Sequence, residues 1–239
     1  DAEKDVIFTL AIAGRGTDID INKTNFPDKD FRELLLDKEA NIDRNQDGKL
    51  STGEIALVQD IDVYDMEITD LTGIEYFTEL KYLDCAGNHL TSLDLSRNTK
   101  LKELNCSTNR LTVLDLSQNP KLKRVICSDN ALTALDLSHN PEMEDVNCSD
   151  NALTALNLSS NSKLTDLNAS GNIREITLTG NTFDLSSLTG FDVSKARNWQ
   201  GGTVSGNTLT VDGNAAVVIY SYDISYTGTE LDDAEKDVI

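Results

Sequence analysis

The chain is poor in the residues that fill most globular cores. Only 5% of its 239 residues are aromatic, with one tryptophan and two methionines, although it is long enough to bury a sizeable core. The shortage predicts a thin, regular interior of small aliphatic side chains. Positive charge is also scarce. Lys and Arg number 21 against 41 Asp and Glu, for a formal net charge of −20. Such a surface repels phosphate backbones and anionic headgroups, so nucleic acid and membrane surfaces are not expected partners, whereas cations and basic partners fit. No run of about 18 apolar residues is present, so no direct membrane insertion is expected. The opening DAEKDVI is not a basic-then-apolar leader. A soluble chain is expected, with any export signal outside it.

What is abundant is repetition. Four consecutive blocks share one template: LKYLDCAGNHLTSLDLSRNTK from Leu80, LKELNCSTNRLTVLDLSQNPK from Leu101, LKRVICSDNALTALDLSHNPE from Leu122 and MEDVNCSDNALTALNLSSNSK from Met143. The step is 21 residues. A fifth block, from Leu164, keeps register through Ala169 and Asn172, and a looser one precedes the array from Ile61, with a 22-residue step from Val63 to Cys85. Degenerate end copies are what a solenoid needs.

Within Tyr82-Leu83-Asp84-Cys85 polar and apolar residues alternate, which predicts a strand with one buried face, one rung of a parallel sheet per block. The outward pairs are then Tyr82/Asp84, Glu103/Asn105, Arg124/Ile126, Asp145/Asn147 and Asp166/Asn168. A second alternating piece, Leu93-Asp94-Leu95, recurs as Leu114–Leu116, Leu135–Leu137 and Leu156–Leu158 and predicts a second short parallel strand across the coil. Two asparagine columns, Asn88/Asn109/Asn130/Asn151/Asn172 and Asn98/Asn119/Asn140/Asn161, fall at the turns, where a buried amide satisfies backbone groups without ladder partners. The acidic column Asp94/Asp115/Asp136 reads as a solvated face, with cation binding as the alternative.

Cys85, Cys106, Cys127 and Cys148 recur once per block, in the column that Val63 and Ala169 also occupy. A position that takes valine and alanine is used for small apolar volume, which predicts a ladder of buried, reduced thiols. Neighbour disulfides and a metal site are the alternatives.

Before the repeats, DRNQDGKLSTGE spans Asp43–Glu54. Its positions 1, 3, 5, 6, 7, 9 and 12 are Asp43, Asn45, Asp47, Gly48, Lys49 (through its carbonyl), Ser51 and Glu54, which is the spacing of a calcium-binding EF-hand loop. Ser51 followed by Glu54 is equally a helix capping box. Asp30–Ala40 reads as the incoming helix, and the outgoing one runs through Val58. A single such loop at the start of a solenoid favours a structural calcium staple over a switch.

The LxxLxCxxNxLTxLDLSxN pattern resembles the leucine-rich repeats of bacterial surface proteins, most closely the internalin-J-like, cysteine-ladder type. The segment from Asn25 to Val58 resembles the helical, EF-hand-bearing front end that precedes such arrays. The resemblance implies a secreted or surface-displayed adhesion or binding module, without naming its ligand.

Downstream of Asn181 the template stops. TVSGNTLTVDG reads as a hairpin turning at Gly206-Asn207, and AAVVIYSYDISYTG as a longer strand. Trp199, Tyr220, Tyr222 and Tyr226 are the expected core of a small β cap. The expected fold is an α/β leucine-rich repeat solenoid: residues 1–25 a strand segment, 26–60 the helical cap, 61–182 the repeats and 183–239 the β cap. DAEKDVI occurs at both Asp1–Ile7 and Asp233–Ile239, which permits a strand-exchanged self-association.

His89 and His139 lie in different blocks, and no nucleophile elbow, phosphate loop or zinc-ligand spacing is present, so an enzyme is not expected. A spacer would repeat its outward residues, whereas a binding solenoid varies them. The outward pairs vary in size and charge, favouring a protein or glycan ligand on the concave sheet, with a structural spacer as the alternative.

Overall fold

The computed structural model describes residues 17–153, 155–172, 181–187, 193–213 and 219–222. The duplicated DAEKDVI, the front strand expected after its first copy, and Tyr226 lie outside the described residues.

The chain opens with β1 (Ile19–Asp20), α1 (Lys29–Leu36), β2 (Lys49–Leu50) and α2 (Thr52–Ile55), and β1 pairs antiparallel with β2. Helix α1 starts where Asp28 accepts the Asp30 and Phe31 N–H groups, the bonds an N-cap supplies. It stops at Leu36, short of the expected Ala40. Asp37 is extended, and its carboxylate accepts the Glu39 N–H; this local bond competes with continuing the helix. Likewise α2 ends before Val58, because Leu57 and Val58 donate to Glu54 and Ile55 in tighter turns and Gln59 must already be extended to receive the Lys81 and Tyr82 N–H groups.

This cap is docked by unique contacts. Phe26 and Phe31 are fully buried, and the Phe26 ring sits edge-on to Phe31 and Tyr76 at centroid distances of 5.8 and 5.7 Å. Gly73, at φ +106°, lets the chain pass that ring; a Cβ there would lie 2.1 Å from Phe26. Asp28 uses its second oxygen to accept from the Thr69 N–H and hydroxyl, tying the start of α1 to the first coil.

The repeats form one parallel six-stranded sheet. Its rungs are β3 (Asp60–Asp62), β4 (Tyr82–Asp84), β5 (Glu103–Asn105), β6 (Arg124–Ile126), β8 (Asp145–Asn147) and β10 (Asp166–Asn168), paired in that order and in register. The first rung thus begins at Asp60. Inward residues Ile61, Leu83, Leu104, Val125, Val146 and Leu167 are buried. Beside them, Val63, Cys85, Cys106, Cys127, Cys148 and Ala169 line one buried column, and the four cysteines are free thiols. Burial pushes every one of these thiols up, Cys148 to about 12.

The second strand, expected in every block, forms in two only, β7 (Ala134–Asp136) and β9 (Ala155–Asn157), paired in parallel. Leu93–Leu95 and Leu114–Leu116 are not strands.

The asparagine columns split in role. Asn109 donates to the Cys85, Cys106 and Ser107 carbonyls and accepts from the Leu90 N–H, and Asn130 and Asn151 repeat this one and two coils on. In the other column, Asn119 Nδ2 bridges the Leu95 and Asn98 carbonyls, but the Oδ1 atoms of Asn98, Asn119, Asn140 and Asn161 are buried without a partner. Only the amide nitrogen is used there.

Past the repeats, β11 (Thr182–Asp184) pairs antiparallel with β14 (Thr208–Val211), which pairs with β13 (Gly202–Ser205). Gly206 and Asn207 form the two-residue turn between β13 and β14, as the sequence predicts. β12 (Ala196–Gln200) pairs with β15 (Ile219–Tyr222), which carries the backbone of Tyr220 and Tyr222. Trp199 packs with Phe183, Val193 and Val204 around Leu185 and Leu209.

Candidate binding face and calcium loop

The Asp43–Glu54 loop is closed by its own polar groups. Asp43 accepts from Asp47 and Gly48 N–H at 3.3 and 2.9 Å, Asn45 Oδ1 from Asp47 N–H at 3.0 Å, and Asp47 from Lys49 N–H at 2.9 Å. Gly48 sits at φ +77°, the left-handed turn that position 6 of such a loop requires. Glu54 folds back across the ring: Oε1 accepts from the Arg44 and Asn45 N–H groups, and Oε2 from the Ser51 N–H and hydroxyl. Ser51 Oγ in turn accepts the Glu54 N–H, so the capping box is formed. Burial pushes the Glu54 carboxyl up, but the bonds from Ser51, Asn45 and Arg44 outweigh it and hold the group below its usual range.

The five expected calcium positions are therefore brought into one loop, with hard oxygen donors of the type calcium takes. Among the described residues, however, no three Asp, Glu, His or Cys side chains are grouped as a metal cluster. The structure provides the loop and the donor types, with the carboxylates turned onto the loop's own N–H groups.

The outward sheet residues form two columns. One runs Asp60, Tyr82, Glu103, Arg124, Asp145, Asp166 and the other Asp62, Asp84, Asn105, Ile126, Asn147, Asn168. All are exposed or half-buried. Asp60 and Asp62 are additions to the predicted face; the alternation Asp60-Ile61-Asp62-Val63 repeats that of Tyr82–Cys85 and is the signal that marks them.

The face is partly committed to pairs within itself. Arg124 Nε lies 2.9 Å from Asp145, and Asn105 Nδ2 donates to Asp84 at 3.0 Å. Burial pushes Asp145 up; Arg124 opposes this, and the Asp166 carboxylate adds to it. Tyr82 is 38% exposed and Ile126 half-buried, which leaves apolar surface between carboxylates.

No family model matches the chain. Over 74 residues it is 35% identical to Internalin J of Listeria monocytogenes serotype 4b (strain F2365), covering 31% of this chain and 8% of that protein. The crystal structure of an internalin, InlF, from Listeria monocytogenes str. 4b F2365 superposes with a TM-score of 0.57 at 24% identity, over 64% of this chain and 46% of that one. The solenoid has the leucine-rich repeat fold seen in that internalin structure. The functional domain of InlJ from Listeria monocytogenes, described as including a cysteine ladder, is 28% identical over 74% of this chain and 52% of that one, with a TM-score of 0.35. The chain spans about half of the InlF structure and a small part of Internalin J. No helix among its described residues is long and apolar enough to cross a membrane.

Proposed function

We propose that this chain is a non-enzymatic binding module, secreted from or displayed on a bacterial cell, that recognises a protein or glycan through the concave sheet face. The observation carrying the reading is the six-rung sheet, whose framework repeats while one of its two outward columns does not; the other column is Asp or Asn on five of six rungs, each accepting the N–H two residues on as part of the framework. Tyr82, Glu103, Arg124, Asp145 and Asp166 occupy equivalent places on successive rungs, where a spacer needs no such variety. Surface or secreted placement rests on the likeness to internalins.

The test is a screen of native protein on arrays of immobilised extracellular proteins and glycans. Binding through the face predicts that Arg124→Ala with Ile126→Ser weakens a hit by about tenfold, or about 1.4 kcal/mol, because interface energy concentrates at central residues. Asp115→Ala, off the sheet, leaves it unchanged. An unaffected double variant with its fold intact would move binding off the face.

A structural calcium ion held by Asp43, Asn45, Asp47, the Lys49 carbonyl and Glu54 is part of the same proposal. The loop spacing, the left-handed Gly48 and the oxygen donor set support it. Calcium at 100 times its dissociation constant adds about 2.7 kcal/mol to folding stability. Melting curves with calcium and with chelator should therefore separate for the native chain and coincide for Glu54→Gln; coinciding native curves would refute the ion.

A further inference from the structure

We infer that the sheet face is built for a basic protein surface, one whose Lys and Arg side chains surround an apolar contact. This rests on the face being the binding surface, as proposed above. Its starting point is which charges the fold has already matched. Arg124, the one cation in the two outward columns, is engaged by Asp145, and Lys123 at the sheet's rim is engaged by Glu144 at 2.7 Å. Lys81, at the same rim, is bonded to Gln59. Of the outward carboxylates, Asp60, Asp62, Asp84, Glu103 and Asp166 make no ion pair among the described residues, against the rim lysine Lys102, which makes none either.

Three of them, Asp62, Glu103 and Asp166, stand on the first, third and sixth rungs, which at the spacing of paired strands spans about 24 Å. That length is the scale of a macromolecular contact. Between them lie the exposed ring of Tyr82 and the half-buried Ile126, with amides at Asn105 and Asn147. Apolar centres ringed by polar contacts are the pattern of protein interfaces. The sign of the ring decides the partner. An acidic partner would meet unpaired like charges at each end of the face, whereas a basic one would neutralise them and be steered in by a chain of net charge −20.

The overall negative charge would attract any polycation, so the experiment compares faces at equal charge. Fluorescent dodecalysine is titrated against the native chain, against the sheet-face variant Asp62→Asn/Glu103→Gln/Asp166→Asn, and against the opposite-face variant Asp94→Asn/Asp115→Asn/Asp136→Asn. Both variants lose three negative charges. Asparagine retains the oxygen that Asp62, Asp94, Asp115 and Asp136 each use to cap a turn.

The sheet-face variant should bind dodecalysine about tenfold more weakly than the native chain, and the opposite-face variant should change by less than about twofold. Equal losses in the two variants would show a whole-molecule field and overturn the inference. A partner from the array screen that needs Arg124 and Ile126 but is indifferent to Asp62, Glu103 and Asp166 would also overturn it, while leaving the sheet-face reading standing.

Discussion

The N-terminal cap and the repeat array hold themselves together by opposite strategies. In the array each device recurs: the same asparagine amide bridges neighbouring coils at Asn98, Asn119, Asn140 and Asn161, and the cysteine column is laid down coil after coil. Every rung supports its neighbours, and the contacts that hold the coils together recur from one to the next. In the cap each device occurs once. One glycine admits one phenylalanine, one aspartate ties one helix to the first coil, and one glutamate closes one loop. Repetition spreads the cost of a lesion over neighbouring coils, whereas a single-use contact takes its element with it.

Gly73→Val attacks the cap where Phe26 docks on the first coil, combining a left-handed φ with a side chain thrust into that ring. A loss of about 3 kcal/mol is expected, with hydrogen exchange accelerating first in α1 and β2. Uniform acceleration through the array would erase the distinction. Asn119→Ala deletes two buried bonds in mid-array and should cost about 2 kcal/mol, a value chemical denaturation can read. The Leu95 and Asn98 carbonyls each keep a backbone partner, from Asn98 N–H and Leu101 N–H respectively, and the unpartnered Oδ1 is removed as well, which limits the damage.

Asp28→Asn keeps an oxygen for the helix cap but loses the charge and the second acceptor facing Thr69, for a cost of about 1 kcal/mol near neutral pH. Burial raises the Asp28 carboxyl, yet the bonds from Thr69, Phe31 and Asp30 prevail and hold it below its ordinary value. A depressed carboxyl contributes stability above its unfolded pKa of about 3.9 and loses it as pH falls through the lower folded value. Native and variant proteins should therefore converge in stability below about pH 4, and a gap that widens in acid would contradict the assignment. The smallest effect is a gain. Thr108 is held at φ +52° in a column where Gly87 and Gly171 also sit left-handed, so Thr108→Gly should add about 1 kcal/mol, visible as a raised denaturation midpoint.

The same contrast explains what could be read in advance. Leu83 and Leu104 identify themselves as core because the alternation around them recurs at a fixed period, and the column Val63–Ala169 declares its volume by the residues it accepts. The Asp43–Glu54 turn with its left-handed Gly48 and the Ser51/Glu54 capping box is legible for a related reason, a fixed local spacing. The end of α1 is not, because Asp37 decides it by a local side-chain bond that competes with helix propensity. Nor is the docking of Phe26 on Gly73, which joins distant residues without a repeated pattern. The far-side strands are fewer than the alternation predicts because alternation records which residues face inward, not whether neighbouring backbones close a ladder. On the face itself the sequence located the rungs; the pairing of Arg124 with Asp145 required side-chain positions.

Carboxyl footprinting of the complex with a partner from the array screen reads the face of the solenoid directly. Glycine ethyl ester labelling of the free and bound chain gives a protection ratio for each Asp and Glu. A sheet-face binder predicts protection at Asp62, Glu103 and Asp166 with Asp94, Asp115 and Asp136 labelled as before; protection of the second set with the first unchanged would contradict it.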